Sequence, residues 1–200
     1  MLFKNLDASD ELLLWKKFLT GDENAYACIY RKYIEDLFSY GMRFTSDREL
    51  VKDCIQDVFI KIYNNRSNLG PTDNIRLYLF IALKNTLFNV FEKDKSLYHI
   101  DTIEPVFTVE YSIEDEIIAN ELLQEQQTVL NRILETLTPR QKEVMYYRYD
   151  RGLKINEICE IMQMNYQSVQ NLIQRSIKKI NASFTEKKRN ALCIKMRSRV

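Results

Sequence analysis

Apolar residues recur at helical spacing along almost the whole chain. From Asp10 to about Phe44 they fall at Leu13, Leu14 and Phe18, then at Tyr26, Ile29, Tyr30, Tyr33, Leu37 and Phe44. Gly21-Asp22 parts this stretch into two helices. A third helix is predicted from about Asp47 to Asn64, with Leu50, Val51, Cys54, Ile55, Val58, Phe59 and Ile62 on its buried face. The polar run from Asn64 through Gly70-Pro71 reads as a loop. Thr72 or Asp73 then caps a fourth helix over about 74–93, apolar on most sides. Gly41 falls inside the second helix, where it costs about 1 kcal/mol relative to alanine, and close packing is the one reason the pattern offers for it.

The second half is patterned differently. Residues 97–111 keep no sustained period and contain Pro105, so they read as a linker. Ser112 with Asp115 three residues on marks a helix start, and that helix reaches about Leu137. Thr138-Pro139-Arg140-Gln141 is a stronger start: threonine caps, proline takes the first helical position and glutamine completes a capping box. That helix runs to Asp150-Arg151 and stops at Gly152. Two short helices follow. Ile155, Ile158, Cys159 and Met162 set the buried stripe of the first; Val169, Leu172, Ile173, Ile177 and Ile180 set that of the second. Separated only by Gln163-Met164-Asn165, they describe a helix-turn-helix whose turn lacks the usual glycine.

Composition narrows the picture. Four glycines and three prolines serve 200 residues, against roughly 12% of positions on average usage. That scarcity excludes sandwiches, barrels and glycine-rich phosphate loops. The expected fold class is all-α, with two small helical domains: residues 1–96, a linker over 97–111, and residues 112–200. The longest apolar run, Leu77–Leu83, is too short to span a membrane, and the N-terminus lacks the pattern of a signal peptide. Cys28, Cys54, Cys159 and Cys193 share no metal-binding spacing and read as reduced core residues. His99, the single histidine, has no ligand-spaced partner, so no metal and no cofactor is expected.

The net charge of +1 hides an asymmetry. Residues 101–125 hold eight acids and no Lys or Arg, whereas residues 167–200 hold nine bases and one acid. Parts so different in charge face different partners. In a helix-turn-helix the second helix enters the major groove. Its polar face here offers Gln167, Ser168, Gln170, Asn171, Gln174, Arg175, Lys178 and Lys179. Gln and Asn pair bidentately with adenine and Arg with guanine, while lysines and the basic tail suit phosphates. A solvated helix face is the plainer reading, but such faces mix signs, and no acid occurs from Gln167 to Phe184. In the third helix Asp53, Gln56 and Asp57 share the side away from the buried stripe, with Ile60 a turn beyond. An exposed isoleucine beside acids points to protein docking; a solvated acidic face is the alternative, and a catalytic carboxylate pair lacks a base or nucleophile. In the fourth helix Tyr78, Phe80, Phe88 and Phe91 mix with Arg76, Lys84, Asn85 and Asn89. That mixture suits single-stranded nucleic acid, although most of the aromatics are better read as core.

These pieces, in this order, resemble the extracytoplasmic-function sigma factors over roughly Asp10–Phe184. The most specific stretches are YIEDLFSYGMRFTSDRELVKDCIQDVFIKIYNNR at Tyr33–Arg66, YLFIALKNTLFN at Tyr78–Asn89, and Leu137–Ile180 with its helix-turn-helix. The resemblance implies sigma domain two over 1–96, an acidic linker, and sigma domain four over 112–200. By that resemblance Asp53, Gln56, Asp57, Phe59 and Ile60 belong to the segment that docks on the β′ clamp of core RNA polymerase. Asn85, with Lys84 and Asn89, stands where the family captures a flipped base of the melted −10 strand. Gln167, Ser168, Gln170, Asn171, Gln174, Arg175 and Lys178 fall on the helix that reads double-stranded −35 DNA. The acidic linker resembles the segment threaded near the RNA exit path. Three departures stand out: Lys154 where the family often has Ser or Thr, glutamines and an asparagine where the recognition helix is usually arginine-rich, and a less basic end to the helix carrying Asn85.

The expected function is therefore that of a cytoplasmic, non-enzymatic promoter-specificity subunit. An anti-sigma factor is the regulator that the resemblance implies, and insertion into a membrane is not expected. The main alternative is a helix-turn-helix regulator that binds a palindromic site without polymerase. A helical hydrolase is a distant second, because no nucleophile or ligand set supports it.

Overall fold

The computed structural model describes residues 8–98, 107–108, 131 and 133–197, with side chains over 9–93, 107–108, 131 and 133–184. Every regular element among them is helical, and the chain divides into two compact units, Met1–Val106 and Phe107–Val200.

The first unit holds α1 (Ala8–Leu19), α2 (Glu23–Gly41), α3 (Arg48–Asn64) and α4 (Ile75–Tyr98). Gly21 turns the chain at φ +93°, and the Asp22 carboxylate then accepts the N–H groups of Asn24 and Ala25 to start α2. Asp47 starts α3 in the same way, through the N–H groups of Glu49 and Leu50. The start of α4 differs from the expectation. Neither Thr72 nor Asp73 caps it: the Asn74 side chain accepts from Leu77 N–H at 3.0 Å, and Thr72 Oγ1 accepts from Asn74 N–H one step earlier. A carboxylate distant in sequence takes another end group, since Glu11 accepts the Ile75 N–H at 3.2 Å.

The core of this unit follows the predicted stripes in part: Leu13 and Tyr30 are exposed and Leu50 half-exposed, while Trp15, outside the predicted pattern, is fully buried. Ala25, Ile29, Tyr33 and Leu37 face inward on α2 at strict four-residue spacing, and Val51, Cys54, Ile55, Val58, Phe59 and Ile62 do so on α3. Phe80 and Phe91 of α4 are buried, and Phe80 stacks on Tyr40 with ring centroids 4.3 Å apart. Gly41 closes α2, and a Cβ there would lie 2.6 Å from Val51 Cγ1. Only a hydrogen fits where α2 meets α3, which explains a glycine that helix propensity disfavours.

The second unit begins its described residues with Phe107, inside the stretch read as a linker. Its ring is buried against Tyr146 and Tyr147, with centroids 5.3 and 6.2 Å away. The predicted helix from Ser112 lies largely outside the described residues, of which 131 and 133–135 are helical. Helix α5 (Pro139–Met145) starts with the expected capping box between Thr138 and Gln141. It does not continue regularly to Asp150. The chain widens into a π-type turn over Tyr146–Asp150, in which Arg151 N–H reaches back five residues to Tyr146 C=O. The wider turn lets two consecutive tyrosines, Tyr146 and Tyr147, both be buried. Gly152 then leaves in the left-handed region at φ +67°.

The helix-turn-helix is α6 (Ile155–Met162) and α7 (Tyr166–Arg197). Its turn needs a left-handed residue, and Gln163 supplies it at φ +52°. The buried stripes shift from those expected. Ile158, Ile161 and Met162 face inward on α6, and Val169, Ile173 and Ser176 on α7, while Leu172, Ile177 and Ile180 are half-exposed. The second helix is also far longer than a short recognition helix, since it meets no glycine or proline before Arg197.

Candidate functional site

Three surfaces carry the residues that the sequence singles out. The first is a groove of about 820 Å³ between α2 and α3. Gln56 and Ile60 of α3 line it, and Phe59, buried, forms part of its base edge-on to Tyr30 with ring centroids 4.8 Å apart. Ile60 is 47% exposed and Tyr30 41%, so the apolar lining is open to solvent. Asp53 and Asp57 are exposed on α3 but do not line the groove; they stand beside it.

The opposite wall carries no role expected from the sequence, although Tyr26 and Tyr30 belong to its apolar pattern. Tyr26, Tyr30, Ile34 and Phe38 of α2 supply it, and Arg48 sits with its guanidinium 5.0 Å from the Phe38 ring centroid. Their four-residue spacing repeats that of the core stripe, one position later. A helix with two adjacent apolar stripes has more apolar surface than one core contact covers.

Cys54 lies in the core beneath this helix face. Burial, then the neighbouring Asp57 and Asp53 carboxylates, push its thiol up to about 11, so it stays protonated and unreactive. Cys28 and Cys159 are half-buried free thiols, and the Cys193 side chain and His99 lie outside the described residues.

The second surface is on α4. Asn85 and Asn89 are both exposed one turn apart, and Lys84 is half-buried with its ammonium 5.6 Å from the Phe88 ring centroid. A pocket of about 230 Å³, lined by none of these three residues, opens between the end of α3 and α4. Ala82 and Thr86, flanking Asn85 in sequence, line it together with Lys61, Asn65, Leu69 and Tyr78. Amide, hydroxyl and ammonium groups around an apolar floor offer both stacking area and edge hydrogen bonds. Arg76, on the first turn of α4, is instead paired with Asp36 at 2.7 Å and ties α4 to α2.

The third surface is the outer face of α7. The Asn165 side chain accepts Ser168 N–H at 2.8 Å and caps the helix. Gln167, Asn171, Gln174, Arg175 and Lys178 are exposed, and Ser168 and Gln170 are half-exposed. Gln167 Nε2 donates to Asn171 Oδ1 at 3.2 Å, and Gln170 Nε2 donates to the Tyr166 hydroxyl at 3.3 Å. Tyr166, 49% exposed at the first position of α7, is absent from the predicted set although its place at the helix start marks it. Lys179 is exposed, and its ammonium donates one bond to Thr136 C=O at 3.0 Å, which ties α7 to the turn before α5 and leaves its other N–H groups on the same face. The expected cap at α6 is reduced as well, with Lys154 N–H donating to the Glu157 carboxylate at 2.6 Å and no side-chain acceptor at Lys154.

Comparison with known proteins decides the family. Residues 29–96 match the family model described as Sigma-70 region 2, and residues 127–180 match the model described as Sigma-70, region 4. Together the two span more than half of the chain. The chain belongs to the sigma-70 family of RNA polymerase sigma factors.

Among curated sigma factors, it is 24% identical over 168 residues to the ECF RNA polymerase sigma factor SigW of Bacillus subtilis (strain 168), covering 80% of this chain and 89% of SigW. It is 18% identical over 162 residues to SigX of the same organism, covering 78% of this chain and 81% of SigX. These relatives make it a sigma factor of the extracytoplasmic-function type. Its fold is similar to that of CnrH, solved in complex with the cytosolic domain of CnrY, at a TM-score of 0.58 and 16% identity over 90% of this chain and 99% of the other. It is also similar to that of the sigma factor RpoE of Bartonella quintana, solved in complex with the anti-sigma factor NepR. That match has a TM-score of 0.55 and 16% identity, over 78% of this chain and 94% of the other. The region 2 match contains the α2–α3 groove lining except Tyr26, together with the α4 amides, and the region 4 match contains α6 and the first half of α7 in this sigma factor. No described helix is long and apolar enough to cross a membrane.

Proposed function

We propose that this chain is an alternative sigma factor that binds core RNA polymerase, reads a −35 element with α7 and captures the melted −10 strand with α4. The observation that carries this reading is the presence of both sigma-70 regions in one chain, each with an exposed, chemically suited face. Residues 1–96 act on core polymerase and the −10 element, 97–111 join the two parts, and 112–200 act on the −35 element.

In region 2 the α2–α3 groove receives an apolar helix of the β′ clamp, with Ile60 and Tyr30 as the apolar contacts and Gln56 at the rim. Asp53 and Asp57 beside the groove give the docking its charge selectivity. On α4, Asn85 and Asn89 hydrogen-bond the edge of an unstacked base, and Lys84 holds the adjoining phosphate. Polymerase performs the chemistry; this chain contributes recognition and acts in the cytoplasm, where polymerase and promoter are. An anti-sigma factor regulates it by covering the apolar groove, as the complexes of CnrH and RpoE with their partners make reasonable.

The test is assembly with core polymerase. The full chain forms a one-to-one complex, and Asp57→Ala weakens competition for core while its thermal unfolding stays within about 0.5 kcal/mol of the parent, as expected for an exposed site. Failure of the parent chain to bind core polymerase overturns the reading. Unchanged competition by Asp57→Ala removes Asp57 from the docking surface.

A further inference from the structure

The first two turns of α7 present their amides in pairs. Gln167 and Asn171, four residues apart and both exposed, are joined through Gln167 Nε2 and Asn171 Oδ1 at 3.2 Å. Gln170 is held in the same manner by the Tyr166 hydroxyl at 3.3 Å. Residues at this spacing lie one above the other on a helix, so each pair forms without bending it.

The hydrogen-bond inventory shows what remains available. A primary amide has two N–H groups and a carbonyl with two lone pairs. When Gln167 spends one N–H on Asn171, its other N–H and its own carbonyl remain together. That is the donor–acceptor combination which matches N7 and the N6 amino group of adenine in the major groove. Asn171 in turn keeps both its N–H groups. Guanine presents two acceptors at the same edge, so an amide oxygen placed there meets a lone pair and gains nothing. A hydrogen-bonded pair also loses less side-chain freedom on binding than two separate amides. Arginine, the usual guanine reader, occurs in the first three turns only at Arg175, farther along the helix.

We propose that Gln167 and Asn171 act as one hydrogen-bonded unit that reads an adenine in the −35 element, with Tyr166 as the positioning residue for Gln170 beside it. This rests on the reading of α7 as the −35 helix and adds the base that it selects.

The experiment uses the full chain assembled with core polymerase and a promoter library randomised through the −35 element. The parent selects sequences with adenine at a fixed position. Replacing that adenine by 7-deazaadenine, which removes N7 and keeps base pairing, weakens binding about 5- to 150-fold. Gln167→Ala and Asn171→Ala each abolish the adenine preference, and the double variant loses little more than the worse single, because the two act as a unit. Tyr166→Phe keeps the ring and affinity for unrelated DNA but lowers discrimination at the position read by Gln170. Selection of sequences without a fixed adenine, indifference to 7-deazaadenine, or additive losses in the double variant overturns the proposal and leaves the sigma reading intact. If the parent selects no sequence at all, the sigma reading itself fails.

Discussion

The Glu11 carboxylate joins three helices of the first unit. One carboxylate oxygen accepts from the Lys32 ammonium at 2.8 Å and from the Tyr33 hydroxyl, and the other accepts the Ile75 N–H. It therefore joins α1 to α2 and to the first turn of α4, the helix that carries Asn85. Burial pushes its carboxyl up, but the bonds from Lys32 and Tyr33, the Lys32 charge and the Ile75 N–H outweigh burial and hold it below 4.5. The folded value is depressed, so the stabilisation is complete above 4.5 and disappears as pH falls through the folded value. Denaturant unfolding of the parent should show this loss below that pH. Glu11→Gln should cost about 1–3 kcal/mol at neutral pH and flatten the acid limb; an unchanged acid limb contradicts the assignment. Gly41 provides a second check with an unusual sign. Alanine in a helix normally gains about 1 kcal/mol over glycine. Here the added methyl meets Val51, so Gly41→Ala should instead destabilise by about 1–3 kcal/mol in thermal unfolding. A gain would mean that α2 and α3 separate without cost.

At the scale of elements, α2 shows what a single sequence reveals and what it hides. Its core stripe, Ala25, Ile29, Tyr33 and Leu37, is legible because four-residue spacing leaves one face for the interior. The groove stripe, Tyr26, Tyr30, Ile34 and Phe38, has the same spacing and the same kind of residues. Periodicity marks both as apolar and cannot tell which face the protein covers. The acids of α3 are legible for the opposite reason, since Asp53 and Asp57 fall on the polar side that its apolar stripe leaves exposed. In the second unit the capping box at Thr138 and the stop at Gly152 follow from local chemistry, and local chemistry is what sequence records best. The π-type turn at Tyr146–Asp150 packs against Phe107, a residue nearly 40 positions earlier in the chain, a contact that has no local signature. The left-handed Gln163 is hidden similarly: the helix-turn-helix imposes a conformation that its own side chain disfavours.

For the whole molecule, the near-neutral net charge conceals a division of labour between an acidic middle and a basic end. Region 2 presents an open apolar groove and exposed amides, and region 4 presents a helix face without acids over residues 167–184. Each face alone fits many helical proteins; together, in this order, they describe promoter recognition supported by polymerase. With few phosphate contacts of its own, the free chain should bind promoter DNA weakly and rely on core enzyme for affinity. The most direct measurement is run-off transcription with core polymerase on a library of genomic fragments. The account predicts discrete transcripts that require this chain, arise from fragments sharing two elements at a fixed spacing, and disappear with Asn85→Ala. Tight binding to a palindromic site without polymerase, with no transcript above that of core enzyme alone, would contradict it.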